Sequence, residues 1–251
     1  MNQQENRYLH ILKLLHKNKA MKVTELAQKT GVSLVTMRKD LAALENKKLL
    51  LRYQGYAELN MRTPVNRRMI SNYEEKIRIA QKAAELVNDG DTVIIESGSC
   101  CVLLADELKK SQKHITIITN STFIADFITP YQYIKLILLG GEYQSDSMAV
   151  VGAVTKACLA TFHAKFFFSG TDGYRKGVGF TGDNLERIDV LRTMMQQADK
   201  TVVITDSQKF SHQGMMEVFA LCEADIVITD AGITQDAENE LKQNNINFIK
   251  V

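Results

Sequence analysis

The sequence predicts an α/β chain in two parts: an N-terminal winged helix-turn-helix domain, then a Rossmann-like domain built on a parallel sheet. Three observations carry this. A helix, a tight glycine turn and a second helix follow one another between residues 23 and 47. From Tyr73 onward, runs rich in β-branched residues alternate with amphipathic stretches, the pattern of a parallel sheet covered on both faces. Charge divides along the same line: residues 1–56 hold 11 Lys/Arg against 4 Asp/Glu, and the remainder holds 20 against 25. A basic head on an acidic body suggests that the head alone meets nucleic acid.

In the head, Tyr8, Leu9, Ile11, Leu12 and Leu15 give a first helix its apolar stripe. A short second helix covers residues 23–30, with Thr24 as its expected cap. Gly31 suits the left-handed backbone that ends a helix, and Val32 plugs the turn. Ser33 caps a third helix that runs to about Lys47. There Val35, Leu41 and Leu44 are expected to face inward, and Thr36, Arg38 and Lys39 outward. Hydroxyls and cations early in a helix suit base edges and phosphates in a major groove. An ordinary αα-hairpin is the alternative. Residues 49–57 read as a hairpin turning near Gly55, a wing whose Arg52 and Tyr53 either touch phosphates or cover the core edge. The DNA-contact candidates are Lys22, Thr24, Ser33, Thr36, Arg38, Lys39 and Arg52. The head is assigned to residues 1–57. Residues 58–72, with Pro64 and Arg67-Arg68 and no clean periodicity, are assigned as a linker.

In the body, residues 73–251, strands are expected at 92–96, 115–119, 134–139, 165–168, 201–205, 226–229 and 248–251. Helices are expected at 74–87, 102–110, 122–128 (closed by Pro130), 153–162, 185–198 and 235–243. Ligands of open α/β sheets bind beyond the carboxyl ends of the strands. Those ends here are Ser97-Gly98-Ser99, Asn120-Ser121, Gly140-Gly141, Gly170-Thr171-Asp172-Gly173 and Asp206-Ser207. Each alone reads as a cap or a turn. Together they suit a phosphate carried on a polyol, held by backbone N–H groups at helix starts. Lys209 and Arg175-Lys176 are candidates to add positive charge.

Other chemistries have less support. No glycine-rich nucleotide loop follows a strand. Asp172, Glu186 and Asp206 are carboxylates within reach of such a pocket, as a sugar isomerase would need. His10, His16, His114, His163 and His212 show neither ligand nor triad spacing. Cys100, Cys101, Cys158 and Cys222 lack C-x-x-C spacing and read as small buried side chains in a reducing compartment, with no metal site. The polar N-terminus and the lack of a transmembrane-length apolar run point to a cytoplasmic protein.

These residues resemble the DeoR family of bacterial transcription regulators along nearly the whole chain. The head carries Val23, Glu25-Leu26-Ala27, Val32-Ser33, Thr36-Met37-Arg38-Lys39-Asp40-Leu41 and Leu44-Glu45. The body carries Glu75-Lys76, Ile79-Ala80, Glu96-Ser97-Gly98-Ser99, Thr119-Asn120-Ser121, Leu139-Gly140-Gly141, Val151-Gly152, Gly177 with Thr181, and Asp206-Ser207-Gln208-Lys209-Phe210. The resemblance implies a sensor domain similar to ribose-5-phosphate isomerase and glucosamine-6-phosphate deaminase. It also implies a phosphorylated sugar as effector in place of a cofactor, and a homodimer or homotetramer. Thr181 joins the effector candidates on this ground. The chain departs from the family at Glu96, where aspartate is commoner, at Cys100-Cys101, at Gln208, in the wing Arg52-Tyr53-Gln54-Gly55-Tyr56-Ala57, and at Leu191, where many members carry lysine. The expected function is a repressor of a carbohydrate-use operon, released by a sugar phosphate and not an enzyme. The rivals are a sugar-phosphate isomerase or deaminase-like enzyme with a basic appendage, and a scaffold whose helix-turn-helix binds only protein.

Overall fold

The computed structural model describes residues 3–129 and 132–251, so Pro130, expected to close a helix, lies outside the described residues. The chain forms two compact units, residues 1–74 and 75–251.

The first unit runs α1 (Gln3–Asn18), β1 (Ala20–Lys22), α2 (Val23–Thr30), α3 (Leu34–Asn46), β2 (Leu50–Tyr53), β3 (Tyr56–Leu59) and α4 (Pro64–Ile70). The stripe of α1 is buried as its spacing requires, as are Leu26, Met37, Leu41, Leu44 and Leu49 of the same unit. Gly31, at φ +69°, closes α2: its N–H and that of Val32 return to the last carbonyls of the helix. Ser33 caps α3, its Oγ accepting from the Thr36 N–H at 3.2 Å. The three short strands form one antiparallel sheet in the order β1-β3-β2. Gln54 and Gly55, both at positive φ, make the two-residue turn that matches the twist of a hairpin.

Three expectations fail here. Thr24 caps nothing: β1 runs directly into α2, so Lys22 takes the cap position with extended backbone and no side-chain bond. Val35 faces out and is 62% exposed, because the inner face of α3 is set by Met37, Asp40, Leu41 and Leu44. The stretch 58–72 is not an open linker, since β3 runs to Leu59 and α4 occupies its centre. Thr63 caps α4 and Pro64 takes its first turn, where a missing N–H and a fixed φ cost nothing. Val65, Asn66 and Met69 are buried, and Asn66 Nδ2 donates to the Lys48 carbonyl at 2.8 Å.

The second unit continues with α5 (Tyr73–Ala84), β4 (Thr92–Ile95), α6 (Ser99–Lys110), β5 (Ile115–Thr119), α7 (Thr122–Phe127), β6 (Ile134–Leu138), β7 (Glu142–Gln144), β8 (Ala149–Val151) and α8 (Gly152–Leu159). Then come β9 (Ala164–Ser169), β10 (Gly173–Arg175), β11 (Gly179–Gly182), α9 (Leu185–Gln196), β12 (Ala198–Ile204), β13 (Met216–Ala220), β14 (Ile226–Thr229), α10 (Gln235–Gln243) and β15 (Asn247–Lys250). The boundary between the units falls in the first turn of α5.

Seven strands make one parallel sheet in the order β15-β14-β12-β9-β4-β5-β6. Its central strands are buried residue after residue, as in Val93-Ile94-Ile95 and Phe166-Phe167-Phe168, so both faces are covered. The chain lays down β4, β5 and β6 toward one edge, then crosses back to build β9, β12, β14 and β15 toward the other. The order therefore reverses between β4 and β9, and this is where open sheets of this kind leave a crevice. Two small antiparallel additions, β10-β11-β13 and β7-β8, do not show in the hydrophobic pattern.

Candidate DNA interface and effector crevice

Arg38 and Lys39 are exposed and make no ion pair among the described residues. Ser33 and Thr36 share a hydrogen bond of 3.0 Å between their hydroxyls, so both serve the cap. Asp40, only 2% exposed, anchors the helix from behind through the Arg7 guanidinium, with Nε 2.5 Å and Nη2 3.0 Å from its two oxygens. Hydrogen bonding to Asp40 pushes the Arg7 guanidinium up from its ordinary value. Thr24 and Lys22 are exposed, with the Lys22 ammonium 6.0 Å from the Tyr56 ring centre. Arg52 is less available than expected, because its Nε lies 2.6 Å from the Glu45 carboxylate, and Tyr53 donates to Glu58 at 2.6 Å.

In the second unit, the expected strand ends come from five adjacent strands. Along one edge of the sheet stand Asp206 after β12, Gly170 to Asp172 after β9, Ser97 to Ser99 after β4, Asn120-Ser121 after β5, and Gly140-Gly141 after β6. At the reversal point the central group is the carboxylate of Glu96, 1% exposed. It accepts from the Gly170 N–H at 2.9 Å and from the Cys101 thiol at 3.5 Å. Arg187, from the first turn of α9, reaches the same place. Its guanidinium stands 3.7 Å from Glu96 and 3.5 Å from Asp172, with 19% of the side chain exposed. Both pairs are loose, so the guanidinium keeps N–H groups for another anion. Gly98 lies at the cap of α6 and is glycine for a steric reason: a Cβ there would fall 2.2 Å from Glu96 Oε1.

A second buried pair lies beside it. Lys76 of α5 stands 3.5 Å from Asp206, and each is nearly sealed from solvent. Burial pushes the neighbouring Cys100 thiol up to about 12, against the opposing pull of Lys76. Burial and the Glu96 charge push Cys101 up as well. Both thiols are neutral packing groups. Asn120 donates from Nδ2 to the Val150 carbonyl at 3.1 Å, and its buried Oδ1 has no partner among the described residues.

Several candidates have structural work instead. Ser121 caps α7 through the Ile124 N–H, and Thr181 Oγ1 accepts from the Gly214 N–H at 2.8 Å. Gly173 is pressed on the His212 carbonyl, which a Cβ would approach to 2.5 Å. Gly141, at φ +150°, has no room for a Cβ beside Thr155, whose hydroxyl donates to the Gly140 carbonyl at 2.8 Å. Arg175 donates to the Gly214 carbonyl at 3.3 Å, and Lys176 is exposed. Lys209 is half-buried on the short helical turn after Asp206. Glu186 is exposed and bonds Gln144. Leu191 packs in the core, so a lysine there would be buried, while Arg192 donates to the carbonyls of Glu217 and Val218.

Sequence reasoning passed over Arg187 and the hub role of Glu96. One signal was present: a cation in the first turn of a helix opposes the helix dipole, and such a residue needs another reason to be there. A cleft of about 380 Å³ lies at the opposite end of the sheet, lined by Gly90, His114 to Thr116 and Gln132 to Lys135. It holds none of these groups. No group of His, Cys, Asp and Glu among the described residues is arranged to hold a metal ion. Among those residues, no helix is long and apolar enough to cross a membrane.

Comparison with known proteins matches the chain to two domain families in succession. Residues 7–63 match the DeoR-like helix-turn-helix domain and residues 71–231 the DeoR C terminal sensor domain. The chain is 31% identical to the lactose phosphotransferase system repressor of Streptococcus mutans, over 90% of this chain and 92% of that protein. It is 29% identical to the HTH-type transcriptional regulator GolR of Listeria innocua, over 93% and 92%. Among solved structures, ribose 5-phosphate isomerase A from Methanocaldococcus jannaschii overlaps 55% of each chain at 18% identity, with a TM-score of 0.41. With both domain families matched in order over most of its length, the chain belongs to the DeoR family, as a DNA-binding transcriptional regulator and not an enzyme.

Proposed function

We propose that this regulator represses a carbohydrate-use operon and leaves its operator when a phosphorylated sugar binds at the reversal point of the sensor sheet. The observation that carries the site is Arg187, a partly exposed cation held loosely between Glu96 and Asp172 next to the start of α6. A phosphate arriving there meets a guanidinium and the free N–H groups of a helix N-terminus. It competes with Glu96 and Asp172 for Arg187, and so acts on β4, β9 and α9 together. The unpartnered Asn120 Oδ1 is an acceptor that a sugar hydroxyl can satisfy. The carbohydrate class is supported by the S. mutans relative, named for a lactose transport system. Release follows only if the ligand binds the free and the DNA-bound conformations with different affinity.

The test begins with operator selection from random duplexes. Operator affinity is then titrated against a panel of aldose and ketose phosphates. The expected result is a loss of affinity of roughly 5- to 150-fold with one of them. Arg187→Gln is expected to abolish that response while operator affinity without effector stays as in the wild type. Equal release of mutant and wild type at the same concentrations would overturn the assignment of the crevice.

A further inference from the structure

Leu34 and Val35, the two largest exposed apolar side chains of α3, are at its very start, 41% and 62% exposed. The inner face of the helix is complete without them, formed by Met37, Asp40, Leu41 and Leu44. Val35 projects from the opposite side, one turn before Lys39, with Thr36 and Arg38 to either side of it. The hydroxyls of Ser33 and Thr36 are bonded to each other. The first turn therefore offers a groove mainly the methyl groups of Val35, framed by Arg38 and Lys39.

We propose that Val35, flanked by Leu34, reads the 5-methyl group of a thymine in the operator. This rests on α3 entering the major groove. In that groove the base edges present hydrogen-bond donors and acceptors, and only thymine adds a methyl group, beside its O4 acceptor. A β-branched side chain has few rotamers at χ1 in a helix, so its methyls arrive nearly fixed in position. A branched apolar group among cations repels no phosphate and satisfies no base donor or acceptor. Its only gain on binding DNA is the burial of apolar area, and the thymine methyl is what the groove provides for that. The basic balance of residues 1–56 favours DNA over an apolar protein partner as the occupant of this face.

The experiment uses the full chain on its selected operator. Each thymine is replaced in turn by deoxyuracil, which keeps the base pair and removes only the methyl. At one position per half-site, wild-type affinity is expected to fall about fourfold, the worth of one buried methyl-sized group. Val35→Ala is expected to bind thymine and uracil operators equally there. It should fold as the wild type does, because the residue is exposed and alanine favours a helix. The proposal is overturned if no single replacement weakens the wild type, or if Val35→Ala still prefers thymine. It is also overturned if Val35→Ala changes the oligomeric state by light scattering and leaves the thymine preference intact, since the face would then meet another copy of the chain. Lys39→Ala separates this from the premise: if neither Lys39→Ala nor Val35→Ala alters operator affinity, α3 is not in the groove and both readings fall.

Discussion

Asp40 shows how one residue settles the placement of the reading helix. It sits on the inner face of α3, and the chain supplies Arg7 from α1 to meet it with two N–H···O bonds. Asp40→Ala leaves that guanidinium facing an apolar core edge, with about a fifth of its side chain in water. The expected cost is about 2–4 kcal/mol of head stability, measured by urea unfolding, with operator affinity falling in step. Gly98 is another such position. Gly98→Asp brings a carboxylate to the start of α6, but its Cβ also collides with Glu96. The variant should therefore lose the effector response by two routes, while operator binding without effector persists. The buried thiols predict an alkaline limit. Cys100, Cys101 and Tyr174 all hold their protons more tightly in the fold, chiefly through burial. A folded value raised above the unfolded one stabilises below the unfolded value, and that contribution is lost as pH rises toward the folded one. For Cys100 this window runs from 9.0 to about 12. Melting temperature should fall as pH rises from about 9 to 12, and replacing Cys100 and Cys101 by alanine should flatten the fall.

At the scale of elements, α3 divides its labour by position. Arg38 and Lys39 are both exposed near the helix start, and Arg38 lies one residue nearer to it, where side chains of a groove-bound helix meet base edges. Arg38→Ala should relax sequence preference in a binding selection. Lys39→Ala should weaken all sequences about equally and lower the salt slope by about one. Much of this helix was legible from its residues: the Ser33 cap, the Gly31 turn and the exposed cations stand where spacing puts them. Its inner face was legible only in part: Leu41 and Leu44 are buried as expected, but Asp40 reads as a solvent residue until Arg7, 33 positions earlier, is known to meet it. Pro64 misled in the same way. It reads as a breaker in a linker, but after Thr63 it starts α4. In the body, the long apolar runs gave the seven parallel strands, while β7, β8, β10, β11 and β13, of three to five residues each, are too short to leave a period. The crevice was half legible. Serine and glycine at strand ends marked its rim, but Arg187 reaches it from a helix that only the fold brings to Glu96.

The molecule as a whole joins a small basic reader to a larger acidic sensor, and this bears on its assembly. One helix in one groove contacts only a few base pairs, and useful discrimination in a genome requires two such readings at a fixed spacing. The sensor unit, residues 75–251, is the larger body and carries Leu138, Tyr143, Val154 and Leu185 as exposed apolar side chains. Self-association through that unit would pair two heads on half-sites. The full chain is then expected to run as a dimer or tetramer in light scattering at micromolar concentration. Its selected operator should contain two related half-sites centred one helical turn, or a multiple, apart. Inserting about five base pairs between them puts the half-sites on opposite faces of the duplex, and affinity should fall toward that of one half-site; inserting about ten should restore most of it. A monomer with full operator affinity, or an operator indifferent to a half-turn insertion, would show that one head suffices.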